Sequence, residues 1–114
     1  KFIHPNPIII VEGIFIFYYK KINDLFNSRV FVDAQMKFMI ERRIKRDFLE
    51  RGYDKNDVEY RYNNHVIPSF KKFTEPHKKQ SNLIINNDKD IQYSVRELKK
   101  FLMKDYNKYK RLLS

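Results

Sequence analysis

Cysteine is absent from the 114-residue sequence. That excludes disulfides, cysteine-based zinc sites and a thiol nucleophile. Only two glycines occur, Gly13 and Gly52. A phosphate-cradling loop needs two glycines and a Gly-Lys-Ser/Thr ending, and a dinucleotide fingerprint needs three glycines. Neither glycine here begins such a pattern. No apolar run reaches the ~18 uninterrupted residues of a membrane span. The early apolar run is broken by Glu12 and lacks a small-residue cleavage site, so it does not read as a signal peptide. From these absences we expect a soluble, disulfide-free, cytoplasmic protein with no membrane partner.

What is present is basic and aromatic. Lys plus Arg number 24 against 14 Asp plus Glu, a net charge of +10. With 33% charged and 42% hydrophobic residues the composition is that of a folded chain rather than a disordered one. The sequence holds 16 Lys, 13 Ile, 10 Asn, 10 Phe and 8 Tyr but a single Ala, a bias that points to an A- and T-rich coding sequence. Much of the charge therefore reads as lysine drift on the surface, with a polyanion-binding face as the alternative.

The run Ile8-Ile9-Ile10-Val11 followed by Ile14-Phe15-Ile16-Phe17 does not alternate apolar with polar. Such a run predicts a central strand of a parallel sheet, buried on both faces, with Pro5 and Pro7 at its irregular entry. Asp24 to Phe26 reads as a short helix or turn, and Arg29 to Asp33 as a second strand. A helix follows from about Gln35 to Glu50, its core stripe formed by Met36, Ile40, Ile44 and Phe48 with Met39 beside them. Gly52 ends it. Asp54 is placed to cap the next helix, which carries Val58 and Tyr62 on one face and is interrupted or restarted at Pro68. Leu83-Ile84-Ile85 is a third strand, closed by Asn86-Asn87-Asp88. The last helix carries Ile91, Val95, Leu98, Leu102, Tyr106, Tyr109 and Leu113 at a 3.6-residue period. Strands separated by helices predict an α/β parallel sheet. An apolar first strand with nothing before it to flank it predicts further that these residues are the C-terminal part of a larger α/β domain.

Residues 41–51 (ERRIKRDFLER) hold the densest chemistry. Arg43 and Arg46 are three apart on one helix face, Arg43 and Asp47 are four apart and able to pair, and Arg51 sits at the helix end. Three guanidiniums then point toward one volume, and the planar guanidinium fork suits phosphate oxygens. The competing reading is a solvated face with pairs such as Arg46 to Glu50. Glu12, at the end of the first strand, is a carboxylate that burial would make costly without a compensating partner such as magnesium; backbone or an arginine would serve equally. His4, His65 and His77 show no metal-ligand spacing. Lys71, Lys72, Lys78 and Lys79, interleaved with Phe70, Phe73 and His77, would suit a nucleic-acid patch, but no nucleic-acid fold signature accompanies them.

At these residues the sequence resembles the uridine/cytidine kinases, ATP-dependent nucleoside kinases of the P-loop fold. The matching runs are residues 8–19 (IIIVEGIFIFYY), 25–26 (LF), 31–33 (FVD), 42–47 (RRIKRD), 50–52 (ERG), Tyr62 with 66–68, 75–79 (EPHKK) and 83–85 (LII). The resemblance implies the C-terminal part of a P-loop-type parallel sheet with flanking helices and an arginine-bearing lid over about residues 35–75. It implies that ATP, or GTP, phosphorylates uridine or cytidine to UMP or CMP in pyrimidine salvage. It places Glu12 near a magnesium ion, Arg43 toward the nucleoside, and Arg46 and Arg51 on the phosphates. It also implies a possible tetramer.

Three departures from the family's pattern stand out. Tyr53 stands where the family commonly has Arg after ERG, Arg61 where it has Gln, and Ala34-Gln35 where it often has Thr-Asp. Tyr53 and Arg61 would both lie near the nucleoside, and an exchange of roles would let Arg61 supply the charge. The family's glycine-rich phosphate loop and its general-base aspartate have no counterpart in these residues, so the 114 residues alone are expected to be inactive. Two other readings stay open: a phosphoribulokinase-like kinase with another small-molecule acceptor, and a non-catalytic binding module.

Overall fold

The computed structural model describes the chain except for Lys1, Ile3, Pro5, Lys89 and Ser114, and of Leu113 the backbone only. The expectations for Pro5 and for the Leu113 side chain therefore lie outside the described residues. The architecture is α/β. Two short strands, β1 (Val30–Asp33) and β2 (Leu83–Asn86), pair in parallel with Val30 opposite Leu83 and Asp33 opposite Asn86. Both strands and their parallel sense follow the sequence expectation.

The first expected strand does not form. Residues 8–13 have no regular structure, and the chain turns over residues 14–19 before a one-turn helix, α1 (Lys20–Asn23). Ile8, Ile9, Ile10, Val11 and Ile14 are all exposed. The physical reason is pairing: a strand's amides and carbonyls need a neighbouring ladder, and the sheet among the described residues has two members, β1 and β2. An apolar run without a ladder or a covering helix has nothing to bury itself against.

Between the strands the chain is helical. The helix α2 (Met36–Arg51) ends where Gly52 takes the left-handed conformation at φ 68°, ψ 19°. The amide of Gly52 donates to the carbonyl of Phe48 at 3.1 Å, and the amide of Tyr53 to that of Asp47 at 3.1 Å. These bonds satisfy carbonyls a helix end would otherwise leave bare. The next helix, α3 (Lys55–Arg61), starts after Asp54 as expected, but the Asp54 side chain makes no capping bond. Pro68 does not end this helical stretch. It lies in a short α segment, α4 (Ile67–Ser69), between π-helical turns over Tyr62–Val66 and Phe70–Thr74. Widening the turn on either side of a proline re-partners carbonyls that lose their donor. A 3₁₀ stretch, Glu75–Gln80, leads into β2.

The core is small: Phe31 and Ile85 of the strands and Val58 and Tyr62 of the helical layer are its buried apolar side chains among the described residues, and Asp47 is buried too. In α2 the stripe is half-buried at Met36, Met39, Ile40 and Ile44, and Phe48 is 59% exposed, against expectation. The final helix, α5 (Ile91–Leu113), is docked by a hydrogen bond from Ser28 to Asp105 and by the Tyr109 hydroxyl on the Asn27 carbonyl at 3.2 Å. Its stripe is half-buried at Leu98, Leu102, Tyr106 and Tyr109, but Ile91 and Val95 stand exposed.

One short segment fixes α2 to the sheet. Asp88, just past β2, accepts from the backbone amide of Gln35 at 2.6 Å and from its side-chain amide at 3.2 Å. Arg42 donates to the Asn87 carbonyl at 2.6 Å. The helix that carries the arginine cluster is therefore anchored to the sheet end near its start, by Asp88 and Asn87, and stopped at its finish by Gly52.

Candidate functional site

The arginines of α2 gather on one carboxylate. Asp47 is 4% exposed. Its Oδ2 accepts from Arg43 Nε at 3.0 Å, and its Oδ1 from Arg46 Nε at 3.0 Å. Arg46 Nη2 is also 3.0 Å from Oδ1, and Arg51 Nη1 lies 3.9 Å from the same oxygen. Burial pushes the Asp47 carboxyl up, but the hydrogen bonds and charges of Arg46 and Arg43 outweigh it and hold the group below its ordinary 3.8. Arg43 pairs with Asp47 as its four-residue spacing predicts, whereas Arg46 turns to Asp47 rather than to Glu50. Three guanidiniums around one carboxylate leave the cluster positive.

Beside it lies a cavity of about 130 Å³ lined by Arg43, Asp47, Arg51, Tyr53, Val58, Arg61, Tyr62 and Val66. Arg43, Arg51, Tyr53 and Arg61, singled out in the sequence, thus share one wall system; Arg46 is not part of the lining. The Arg61 guanidinium carbon sits 5.4 Å from the Tyr53 ring centroid, a cation–π distance. Tyr62 is buried, and its hydroxyl donates to Met36 Sδ at 3.7 Å. Burial raises the Tyr62 phenol above its ordinary 10.0 although the Arg43 charge opposes the rise. The cavity therefore combines guanidinium donors, two aromatic rings and an apolar floor from Val58 and Val66. Such a lining can hold a planar ring and an anionic group together.

Glu12 is placed differently from expectation. It is exposed rather than buried, so it carries no desolvation cost that a metal must relieve. No group of three His, Asp or Glu able to hold a metal occurs among the described residues. Magnesium commonly takes one or two carboxylates and leaves its other positions to phosphate and water, so Glu12 fits as one oxygen ligand of such an ion and no more. At the end of β1, Asp33 is paired with Lys78 at 2.6 Å. The aromatics between the lysines of residues 70–79 turn inward: Phe70 toward Phe31, Phe73 toward Phe15 and Tyr18, and His77 toward Tyr18. Phe73 also carries Lys72 Nζ 5.1 Å from its ring centroid. His65 is exposed beside Tyr60.

Sequence reasoning undervalued two residues. Asp47 was legible as a partner for Arg43 but not as the shared partner of three arginines, because Arg46 is adjacent to it in sequence and adjacent residues do not face each other on an ideal helix. Tyr62 read as core on the Val58 face, and that it also borders the cavity with Arg61 had no signal in the spacing.

Comparison with known proteins matches residues 1–94 to the phosphoribulokinase / uridine kinase family. The chain is 41% identical over 93 residues to "Uridine kinase-like protein 3" of Arabidopsis thaliana, covering 82% of this chain and 20% of that protein. It is 37% identical over 93 residues to "Uridine/cytidine kinase UKL1, chloroplastic" of the same plant, covering 82% of this chain and 19% of the relative. To "Uridine-cytidine kinase 2-B" of Danio rerio it is 36% identical over 88 residues, covering 77% of this chain and 34% of the relative. The chain thus spans between about a fifth and a third of the length of these relatives.

Proposed function

This chain belongs to the phosphoribulokinase / uridine kinase family, and from that premise we propose that it is the lid-bearing part of a kinase that transfers the γ-phosphate of ATP to the 5′-hydroxyl of uridine or cytidine. The observation that carries the reading is the cavity in which Arg43, Arg51, Tyr53 and Arg61 meet. Arg46 and Arg51 take the phosphates of ATP and offset charge as it spreads on the transferring group. Little else is asked of a protein in phosphoryl transfer beyond positioning and electrostatics. Arg43, Tyr53 and Arg61 face the nucleoside. The lid spans about residues 35–75. Glu12 would hold the magnesium that accompanies ATP, and the ion would supply neutralisation of phosphate charge.

The two glycines cannot form a phosphate loop, so the reaction needs groups beyond these 114 residues, and the 114 residues by themselves should turn over no uridine. In the whole protein we place the activity in pyrimidine salvage in the cytoplasm, with a homo-oligomer as its form. No helix among the described residues is long and apolar enough to cross a membrane.

The test is a substrate panel on the whole protein: uridine, cytidine and a sugar-phosphate alcohol as acceptors, ATP and GTP as donors. Mutual competition between uridine and cytidine supports the proposal, and preference for the sugar phosphate moves the protein to the phosphoribulokinase side of the family. Arg46→Gln and Arg51→Gln should each lower kcat by orders of magnitude, as arginine fingers in related chemistry contribute roughly 10³–10⁵. Losses under tenfold in both variants reject their assignment.

A further inference from the structure

We propose that Asp47 is a positioning residue that aims Arg46 and Arg51 at a polyphosphate and holds Arg43 in place beside them, an inference that rests on the reading of this arginine cluster as an ATP-handling site. Several observations carry it. Asp47 is the buried charged residue of the described core, while its three partners stay partly open: the side chains of Arg43, Arg46 and Arg51 are 35%, 43% and 53% exposed against 6% for Asp47. The carboxylate is the fixed point, and the guanidiniums radiate from it toward solvent and cavity.

The manner of engagement matters as much as its presence. Arg43 is held by Nε alone, so its Nη donors are left for another acceptor. Arg51 is near enough for charge attraction at 3.9 Å without a hydrogen bond. Its two Nη groups therefore stay available too. Arg46 is held more fully, with Nε and Nη2 both 3.0 Å from the single oxygen Oδ1; none of the three arginines forms the two-oxygen bidentate pair that would neutralise it most completely. The Asp47 main chain adds to this, since its carbonyl accepts the Tyr53 amide that closes α2. One residue thus sets both the arginine fan and the aromatic wall of the cavity.

Positioning and simple electrostatics predict opposite signs. Asp47→Asn removes a negative charge beside three arginines, so Coulomb attraction alone would tighten binding of an anion. Loss of positioning weakens it, because the guanidiniums must be ordered anew when the ligand arrives. The experiment is isothermal titration of ATP into the whole protein, its Asp47→Asn variant and its Asp47→Glu variant. The expected result is about tenfold or greater weakening in Asp47→Asn, of the order of one charge-assisted hydrogen bond. Asp47→Glu should lie between, since it keeps the charge and displaces it by one methylene.

Stoichiometry separates misfolding from misaiming: an unfolded fraction lowers the number of sites, not the affinity of those that remain. If Asp47→Asn shows no sites at all, the Asp47→Glu affinity decides. Equal or tighter ATP binding in the folded variants overturns the proposal. A parent protein that binds ATP but phosphorylates neither uridine nor cytidine removes the functional reading and leaves the positioning inference standing on its binding data. A parent that binds no ATP overturns both.

Discussion

Gly52 offers a perturbation whose size can be worked from local geometry. Its φ of 68° lies in the left-handed region, and a Cβ built there meets nothing within 4 Å. Gly52→Ala therefore creates no clash with the rest of the fold, and its cost is the backbone strain of an L-residue in that conformation, about 1–2 kcal/mol. Alanine also restricts the unfolded chain, an effect worth about 0.4–1 kcal/mol in the opposite direction. The net expectation is a loss of about 1 kcal/mol. Gly52→Asn should lose less, since asparagine visits this region more readily. Urea unfolding of the whole protein reads the change as a lower midpoint at unchanged slope. These ranges leave a loss between about 0 and 1.6 kcal/mol, so an Ala variant more stable than the parent would mean that the residue is not left-handed in solution. It would also mean that the Tyr53 amide is not held on the Asp47 carbonyl, and the cavity would lose the turn that sets its aromatic wall.

Two further predictions follow from the same cluster and cavity. Arg61→Ala, which removes the guanidinium stacked on Tyr53, should raise the Michaelis constant for the nucleoside with little change in kcat; an unchanged constant would show that Arg61 does not serve the nucleoside. In acid, the depressed Asp47 carboxyl contributes stability that is present above its ordinary 3.8 and is lost as pH falls through the lower folded value. Asp47→Asn lacks this group, so its stability should fall less steeply over that range, and parallel parent and variant curves would count against the pairing.

How much was readable beforehand depends on how local the cause was. The end of α2 was legible because Gly52 acts through its own backbone. The strands β1 and β2 were legible because short β-branched runs between helical segments leave few other roles. Residues 8–17 misled because their composition reports a wish to be buried, while a strand also needs a partner ladder that composition does not supply. Phe48 misled in the same way: the period placed it on a face, but nothing among the described residues covers that turn. At the site, spacing placed Arg43, Arg46 and Arg51 toward one volume; Arg43 and Arg51 line the cavity and Arg46 does not, while Tyr53 and Arg61, which spacing had not joined to them, do. The inward turn of Phe70, Phe73 and His77 was not readable, since the widened turns around Pro68 break the 3.6-residue count on which any facing argument rests.

The register of β1 on β2 carries a consequence for how the chain assembles. Partners such as Val30 and Leu83 are separated by the whole helical layer, and closing a loop of that size costs about 3–4 kcal/mol in chain entropy beyond a constant. No ladder bond is gained until that cost is met, whereas α2 and α3 gain theirs turn by turn from near neighbours. The order of events is then set: helices first, the Gln35–Asp88 clasp as the two strand ends arrive together, and the sheet as the closing act. Slow steps in refolding belong to the strands even though the strands are the smallest part of the structure.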